Sequence, residues 1–219
     1  MLPGFYYACR LVGRILFKLW ARWKVRGREN VPNEGPLLVV ANHITILDPV
    51  LLAISFDRKL IFMAKEELFR SRFLSYILRY GIGSFSVDRG RFVKKTLRQA
   101  YRVLAEGQVL AMFPEGTRSH NTQLQSAFYG SALIALRSGV PVLPVGVYGT
   151  EEINGIDAPL RRPRVAVNIG HPFYLSRVDS NNNSKLDKAE LAECTELIMR
   201  RIAELLPPEY RGNYTEQED

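Results

Sequence analysis

Short apolar runs of four to nine residues, alternating with helical periods, constrain this chain more than any other feature. Leu37–Ala41, Leu60–Ala64, Ser84–Val87, Val109–Phe113, Val140–Tyr148 and Arg164–Ile169 read as strands. Most are apolar throughout, so most bury both faces and need helices above and below. Pro49–Phe56, Ser71–Tyr80, Phe92–Glu106 and Ala127–Ser138 read as helices between them. The alternation predicts an α/β fold, a mostly parallel β-sheet flanked by helices, with strand order open. Pro32, Gly35 and Pro36 mark the loop into the first of these strands, and the polar run Ser180–Ser184 connects to a final helix near Lys188–Leu206. Pro207-Pro208 ends that helix. The expected organisation is an N-terminal helix over residues 1–24, one domain over 25–206 and a flexible tail over 207–219.

The charge is unevenly placed. The 219 residues carry +8, yet residues 1–28 hold seven cations (Arg10, Arg14, Lys18, Arg22, Lys24, Arg26, Arg28) and no acid. The other 191 residues therefore net only +1, which disfavours a surface built for nucleic acid. Arg10, Arg14 and Lys18 interrupt any run long enough for a secretory signal or a membrane span. Arg10, Arg14, Lys18 and Arg22 recur every fourth residue, opposite Leu11, Val12, Ile15, Leu16, Leu19 and Trp23. Such a basic amphipathic helix either lies in the plane of an anionic membrane or docks on its own domain with a solvated outer face.

Cys9 and Cys194 are too few and too far apart for a disulfide scaffold or a Cys-rich zinc site, and suit a reducing, cytosol-facing location. There is no GxSxG, GxxxxGK[ST] or HExxH motif, and Gly81-Ile82-Gly83 lacks the third glycine of a dinucleotide fingerprint. Serine-hydrolase, nucleoside-triphosphatase, dinucleotide and metal chemistries therefore lack their residues, and neither a metal nor a cofactor is expected.

Four polar clusters each begin where an apolar run ends. In Asn42-His43-Ile44-Thr45-Ile46-Leu47-Asp48-Pro49, a loop that folds back would let Asp48 hold Nδ1–H of His43 and leave Nε2 as a general base. The same residues also read as a helix-capping Asp beside an unrelated His. His120 and His171 fall in polar turns. Phe113-Pro114-Glu115-Gly116-Thr117-Arg118-Ser119 offers a tight turn and a guanidinium fork suited to phosphate, with Glu115 able to orient Arg118 or accept from a substrate hydroxyl. Asp88-Arg89-Gly90-Arg91 and Lys65 of Met63–Leu68 add cations. Strand-end clusters in α/β folds line ligand crevices, and one base with several cations suits activating a hydroxyl on a phosphate-bearing substrate.

These residues resemble, in order, the four blocks of the glycerolipid acyltransferases of the 1-acylglycerol-3-phosphate acyltransferase type. The blocks are Asn42-His43 to Asp48-Pro49, Ser86-Val87-Asp88-Arg89-Gly90, Phe113–Ser119, and Val140-Pro141-Val142-Leu143-Pro144-Val145. The similarity runs from about Lys24 to Leu206. It implies transfer of a fatty acyl group from acyl-CoA or acyl carrier protein, each a substrate rather than a cofactor, to the sn-2 hydroxyl of 1-acylglycerol-3-phosphate, giving phosphatidic acid. It assigns His43 and Asp48 to catalysis, and Lys65, Arg89, Glu115, Gly116, Thr117 and Arg118 to the acceptor's phosphate site. It also implies an enzyme at the membrane surface, on the cytoplasmic face. Two positions depart from the pattern: Thr122 stands where glycine is common and Phe128 where Lys is usual. The departure leaves a different lysolipid as the alternative acceptor. A water-activating thioesterase and a non-enzymatic basic membrane-binding module are the competing classes.

Overall fold

A computed structural model describes residues 3–65, 70, 76, 83–87, 93–154, 157–176 and 187–215. Among the described residues seven strands form one sheet: β1 (Arg22–Arg26), β2 (Leu37–Ala41), β3 (Leu60–Lys65), β4 (Ser84–Val87), β5 (Val109–Met112), β6 (Val142–Tyr148) and β7 (Arg164–Ile169). Their order is β1-β7-β6-β2-β5-β3-β4, parallel throughout except between β6 and β7. The helices are α1 (Pro3–Trp20), α2 (Asp48–Ser55), α3 (Val93–Ala105), α4 (Gly130–Ser138), α5 (Ala158–Arg161) and α6 (Lys188–Ala203). The expected α/β class and mostly parallel sheet are what the chain forms. The helix expected over Ser71–Tyr80 and the patch Ser180–Ser184 lie outside the described residues.

Strand β2 shows why its sequence reads as continuously apolar. Leu37, Val39 and Ala41 pack on one face with Leu51, Leu52 and Ile54 of α2 and Phe17 of α1. Leu38 and Val40 pack on the other with Ala100, Val103 and Leu104 of α3, Ala132 and Ile134 of α4, and Ile198, Met199 and Ile202 of α6. All five β2 residues are fully buried, and each large apolar side chain so placed contributes about 1.5–3 kcal/mol.

Strand β1 is absent from the sequence expectation, which placed Arg22 on a helix and drew a boundary at residue 24. Helix α1 instead ends at Trp20, and Arg22–Arg26 joins the sheet edge beside β7. Trp23 and Val25 turn inward, while Arg22, Lys24 and Arg26 face solvent. An edge strand carries such charges because they discourage pairing with another chain.

The orientation of α1 is the reverse of a solvated basic face. Its inward stripe is Tyr6, Arg10, Gly13, Arg14 and Phe17, and the basic residues serve as the docking contacts. Arg10 donates to the carbonyls of Phe56 and Asp57, at 3.1 and 2.7 Å. Arg14 donates to the Ile54 carbonyl at 2.7 Å and pairs with Asp57 at 3.0 Å. These carbonyls lie at and just past the C-terminal end of α2, where the helix dipole favours cations. Tyr7, Leu11, Val12, Ile15, Leu16, Leu19 and Trp20 are left exposed. Among the described residues no helix is long and apolar enough to cross a membrane.

The C-terminal segment expected to be flexible forms two short 3-10 turns, Pro208–Tyr210 and Gly212–Tyr214. Tyr210 and Tyr214 pack against the α3–α4–α6 core, and the Tyr210 carbonyl accepts from Leu124 N–H at 2.9 Å. Residues 216–219 lie outside the described residues.

Candidate active site

Strands β6, β2, β5, β3 and β4 are adjacent and parallel, so their C-terminal ends share one edge. Asn42 and His43 leave β2 there, and Phe113–Ser119 leaves β5 beside them. The backbone of Lys65 ends β3 on the same edge; its side chain, Asp88, Arg89 and Arg91 lie outside the described residues.

Asn42 fixes the exit of β2. It is buried, donates from Nδ2 to the Val147 carbonyl and accepts from Val147 N–H at Oδ1, both at 2.7 Å. The amide side chain thereby continues the β2–β6 ladder for one more step. The next residues fold back, as the dyad reading requires. His43 Nδ1 lies 2.8 Å from Asp48 Oδ2, and the same oxygen accepts the N–H groups of Ile44 at 2.6 Å and Thr45 at 2.7 Å. Those backbone groups can only donate, so Oδ2 is an acceptor and Nδ1 carries the proton. Oδ1 accepts the hydroxyls of Thr45 at 3.1 Å and Thr150 at 2.7 Å. Asp48 is the first residue of α2 and fully buried, so its carboxylate serves the loop before the helix. Nε2 of His43 makes no hydrogen bond among the described residues, and the side chain keeps 17% exposure. The imidazole is therefore held by one nitrogen and open at the other.

The segment after β5 locks the rest of His43. Phe113 stacks on the imidazole with ring centroids 4.1 Å apart. Glu115 Oε1 accepts His43 N–H at 2.8 Å, and Ser119 N–H donates to the His43 carbonyl at 2.8 Å. Glu115 Oε2 accepts Gln125 N–H at 2.9 Å. Both oxygens of Glu115 thus face backbone, and the side chain lies beneath the His43–Asp48 loop instead of on the open rim. Burial pushes its pKa from 4.5 up to about 7; the two N–H bonds oppose the shift and the charge of Asp48 adds to it. Gly116 adopts φ 69°, the left-handed region that favours glycine, and makes the turn that presents Thr117 and Arg118 outward. Arg118 is exposed and makes no ion pair among the described residues, so its guanidinium is available to an anion. His120 and His171 are exposed.

Thr150 escaped the sequence reading. Its hydroxyl gives no signal until β6 is placed beside β2, where the residue after Gly149 meets Asp48. The departures are also visible here. Thr122 has φ 65°, a left-handed position that accounts for glycine at this place in the resembled pattern. Phe128 is 68% exposed near the rim, with its N–H bonded to the Pro114 carbonyl at 3.0 Å.

Comparisons with known proteins identify the family and the fold. A family model described as Acyltransferase matches residues 22–148, more than half of the chain. A 1-acyl-sn-glycerol-3-phosphate acyltransferase of Borreliella burgdorferi is 32% identical over 58% of this chain, which spans only 51% of that protein's length. The Bacillus subtilis protein of the same name is 25% identical over 91% of this chain and 96% of its own. The crystal structure of the 1-acyl-sn-glycerophosphate acyltransferase PlsC of Thermotoga maritima superposes with a TM-score of 0.68 and 29% identity, covering 91% of this chain and 79% of that one. The match over residues 22–148, a stretch that contains His43, Asp48 and Arg118, places this chain in the acyltransferase family.

Proposed function

We propose that the protein transfers a fatty acyl group from acyl-CoA or acyl carrier protein to the sn-2 hydroxyl of 1-acylglycerol-3-phosphate, forming phosphatidic acid. The observation that carries this reading is the His43–Asp48 pair, bonded at Nδ1 and open at Nε2. The acceptor hydroxyl takes the place that a serine occupies in hydrolytic triads. As Nε2 removes its proton, the oxygen attacks the thioester carbonyl and a C–O bond forms. Collapse breaks the C–S bond, and the proton on Nε2 passes to the leaving thiolate, giving ester and free thiol. Asp48 holds the tautomer throughout and stabilises the transient imidazolium. Arg118, with Lys65 and Arg89, holds the acceptor's phosphate beside Gly116 and Thr117, and Glu115 shapes that site from below. No covalent acyl-enzyme is involved.

The exposed face of α1, Tyr7 to Trp20, is the contact with the lipid surface, at the headgroup–acyl boundary. Lys18, Arg22, Lys24, Arg26 and Arg28 remain exposed and favour an anionic leaflet. The acceptor resides there and the donor arrives from the aqueous side.

The test is a product assay by lipid mass spectrometry with 1-acylglycerol-3-phosphate, its choline ester analogue, or no acceptor. Acylated product formed faster from the first than from its choline analogue, with thioester consumption dependent on acceptor, supports the proposal. Preference for the zwitterionic acceptor favours the second reading, which the exposed Phe128 at a usual Lys position recommends. Thioester cleavage at equal rate without any acceptor overturns both in favour of a hydrolase.

A further inference from the structure

We infer that Thr150 is a positioning residue for the acyl-transfer dyad: its hydroxyl ties Asp48 to the body of the sheet. The inference rests on the proposed roles of His43 and Asp48, and Thr150 lies beyond the 22–148 segment that the family model covers.

Every other group bonded to the Asp48 carboxylate belongs to the loop that Asp48 itself organises. His43 Nδ1, Ile44 N–H, Thr45 N–H and the Thr45 hydroxyl all lie within five residues of it. Those four bonds set the shape of the loop and move with it. The Thr150 bond, 2.7 Å long and spanning 102 residues, is the one hydrogen bond among the described residues that ties the carboxylate to another element. A carboxylate held within its own loop keeps His43 in the correct tautomer but leaves the pair free to pivot about the end of β2. Held also at Oδ1, it fixes Nε2 relative to the strand ends that carry the acceptor site.

The anchor is itself rigid. Thr150 is 1% exposed and opens a 3-10 turn directly after β6, whose Val147 already clamps Asn42. Gly149 takes φ 83°, and a Cβ there would sit 2.0 Å from the Arg164 carbonyl oxygen, so β7 leaves the backbone of this turn no freedom. The neighbouring Glu151 accepts the Tyr210 hydroxyl, and Tyr210 also receives Leu124 N–H, so the C-terminal turn braces both the Thr150 turn and the loop that follows Glu115. His43 is thereby held from two sides, through Asp48–Thr150 and through Glu115.

Thr150→Ser and Thr150→Ala differ only by the hydroxyl, since both lack the methyl group. Acyl transfer is measured across donor and acceptor concentrations up to saturation, at a temperature well below the melting point of each variant. Thr150→Ser is expected to keep kcat within about twofold of the parent. Thr150→Ala should lose about tenfold to a hundredfold in kcat with KM for both substrates nearly unchanged, the scale of a catalytic group misplaced by about an ångström. A role confined to stability would lower the melting temperature of Thr150→Ala and leave kcat intact. Equal kcat for the two variants, or a loss confined to KM, overturns the inference. Should Thr150→Ala not fold, the isosteric Thr150→Val carries the same comparison. His43→Ala in the same assay separates the two levels. Loss with His43→Ala but not with Thr150→Ala defeats the positioning role alone, whereas activity retained by His43→Ala defeats the dyad reading and this inference with it.

Discussion

Glu115→Gln should remove a pH-dependent part of the protein's stability. The Glu115 carboxyl is 1% exposed, and burial raises its pKa from 4.5 to about 7 in the folded chain. An acid with a raised folded-state pKa binds its proton more tightly folded than unfolded. Its stabilising contribution is therefore complete below about pH 4.5, falls as the pH rises to about 7, and is gone above that. The window spans 2.5 pH units, and at about 1.36 kcal/mol each the ionised form costs about 3 kcal/mol. That is a large part of the 5–15 kcal/mol a domain usually has. Gln is neutral at every pH but turns an NH₂ toward either His43 N–H or Gln125 N–H, a pH-independent cost of about 1–3 kcal/mol. The decisive quantity is therefore how the difference between the two proteins changes with pH. Urea unfolding followed by circular dichroism at half-unit steps from pH 4.5 to 8 measures it, and groups common to both proteins cancel. The parent should lose about 3 kcal/mol relative to Glu115→Gln between pH 4.5 and 7.5, with no further change above. Parallel curves across this window would refute the argument that Glu115 titrates while buried against His43.

Three further outcomes test other parts of the structure. Thr122→Gly should raise stability by about 1 kcal/mol, because a β-branched residue at φ 65° costs about 1–2 kcal/mol and glycine returns part of that gain as chain entropy. The urea midpoint should move up at unchanged slope, and a lower midpoint would mean that Thr122 makes a compensating contact. Gly13→Val should destabilise by about 1–3 kcal/mol through overpacking, since even a Cβ at Gly13 lies 2.9 Å from Ile54 Cγ2 where α1 crosses α2. A melting temperature equal to the parent's would place α1 off the domain. Leu11→Glu combined with Ile15→Glu changes two exposed side chains, so it should leave the melting temperature alone while weakening sedimentation with anionic vesicles by more than about tenfold. Undiminished vesicle binding would show that the apolar face of α1 is not the lipid contact.

Those parts of the fold that follow from burial are plain in the sequence. Leu37–Ala41 is apolar at every position because both its faces meet helices, and it is found where the pattern puts it. Val109–Met112 behaves alike, Arg164–Ile169 stands where expected but buries only alternate residues, and the ends of β2 and β5 carry the two main clusters as the spacing implies. Strand β1 is hidden for the opposite reason. Arg-Trp-Lys-Val-Arg at a sheet edge alternates charge outward, and its cations extend the four-residue spacing of the preceding helix. The same spacing concealed how α1 sits: periodicity gives the two faces of a helix but not which one is turned inward. Arg10 and Arg14 turn inward because α2 ends beneath them with unpaired carbonyls, a partner about forty residues away. Glu115 looked like a rim residue because the turn it occupies is on the rim, yet its carboxylate points back to His43 N–H. Thr150 was invisible because a lone threonine acquires a role only when β6 lies beside β2.

The proposed reaction turns on His43 Nε2 taking the proton of the acceptor hydroxyl. Acyl transfer to 1-acylglycerol-3-phosphate by His43→Ala, compared with the parent at equal concentration and with its fold checked by circular dichroism, tests it most directly. Loss of the general base should lower kcat by about 10²–10⁴-fold while the folded fraction stays unchanged. A folded His43→Ala protein that makes phosphatidic acid at the parent's rate would contradict the claim.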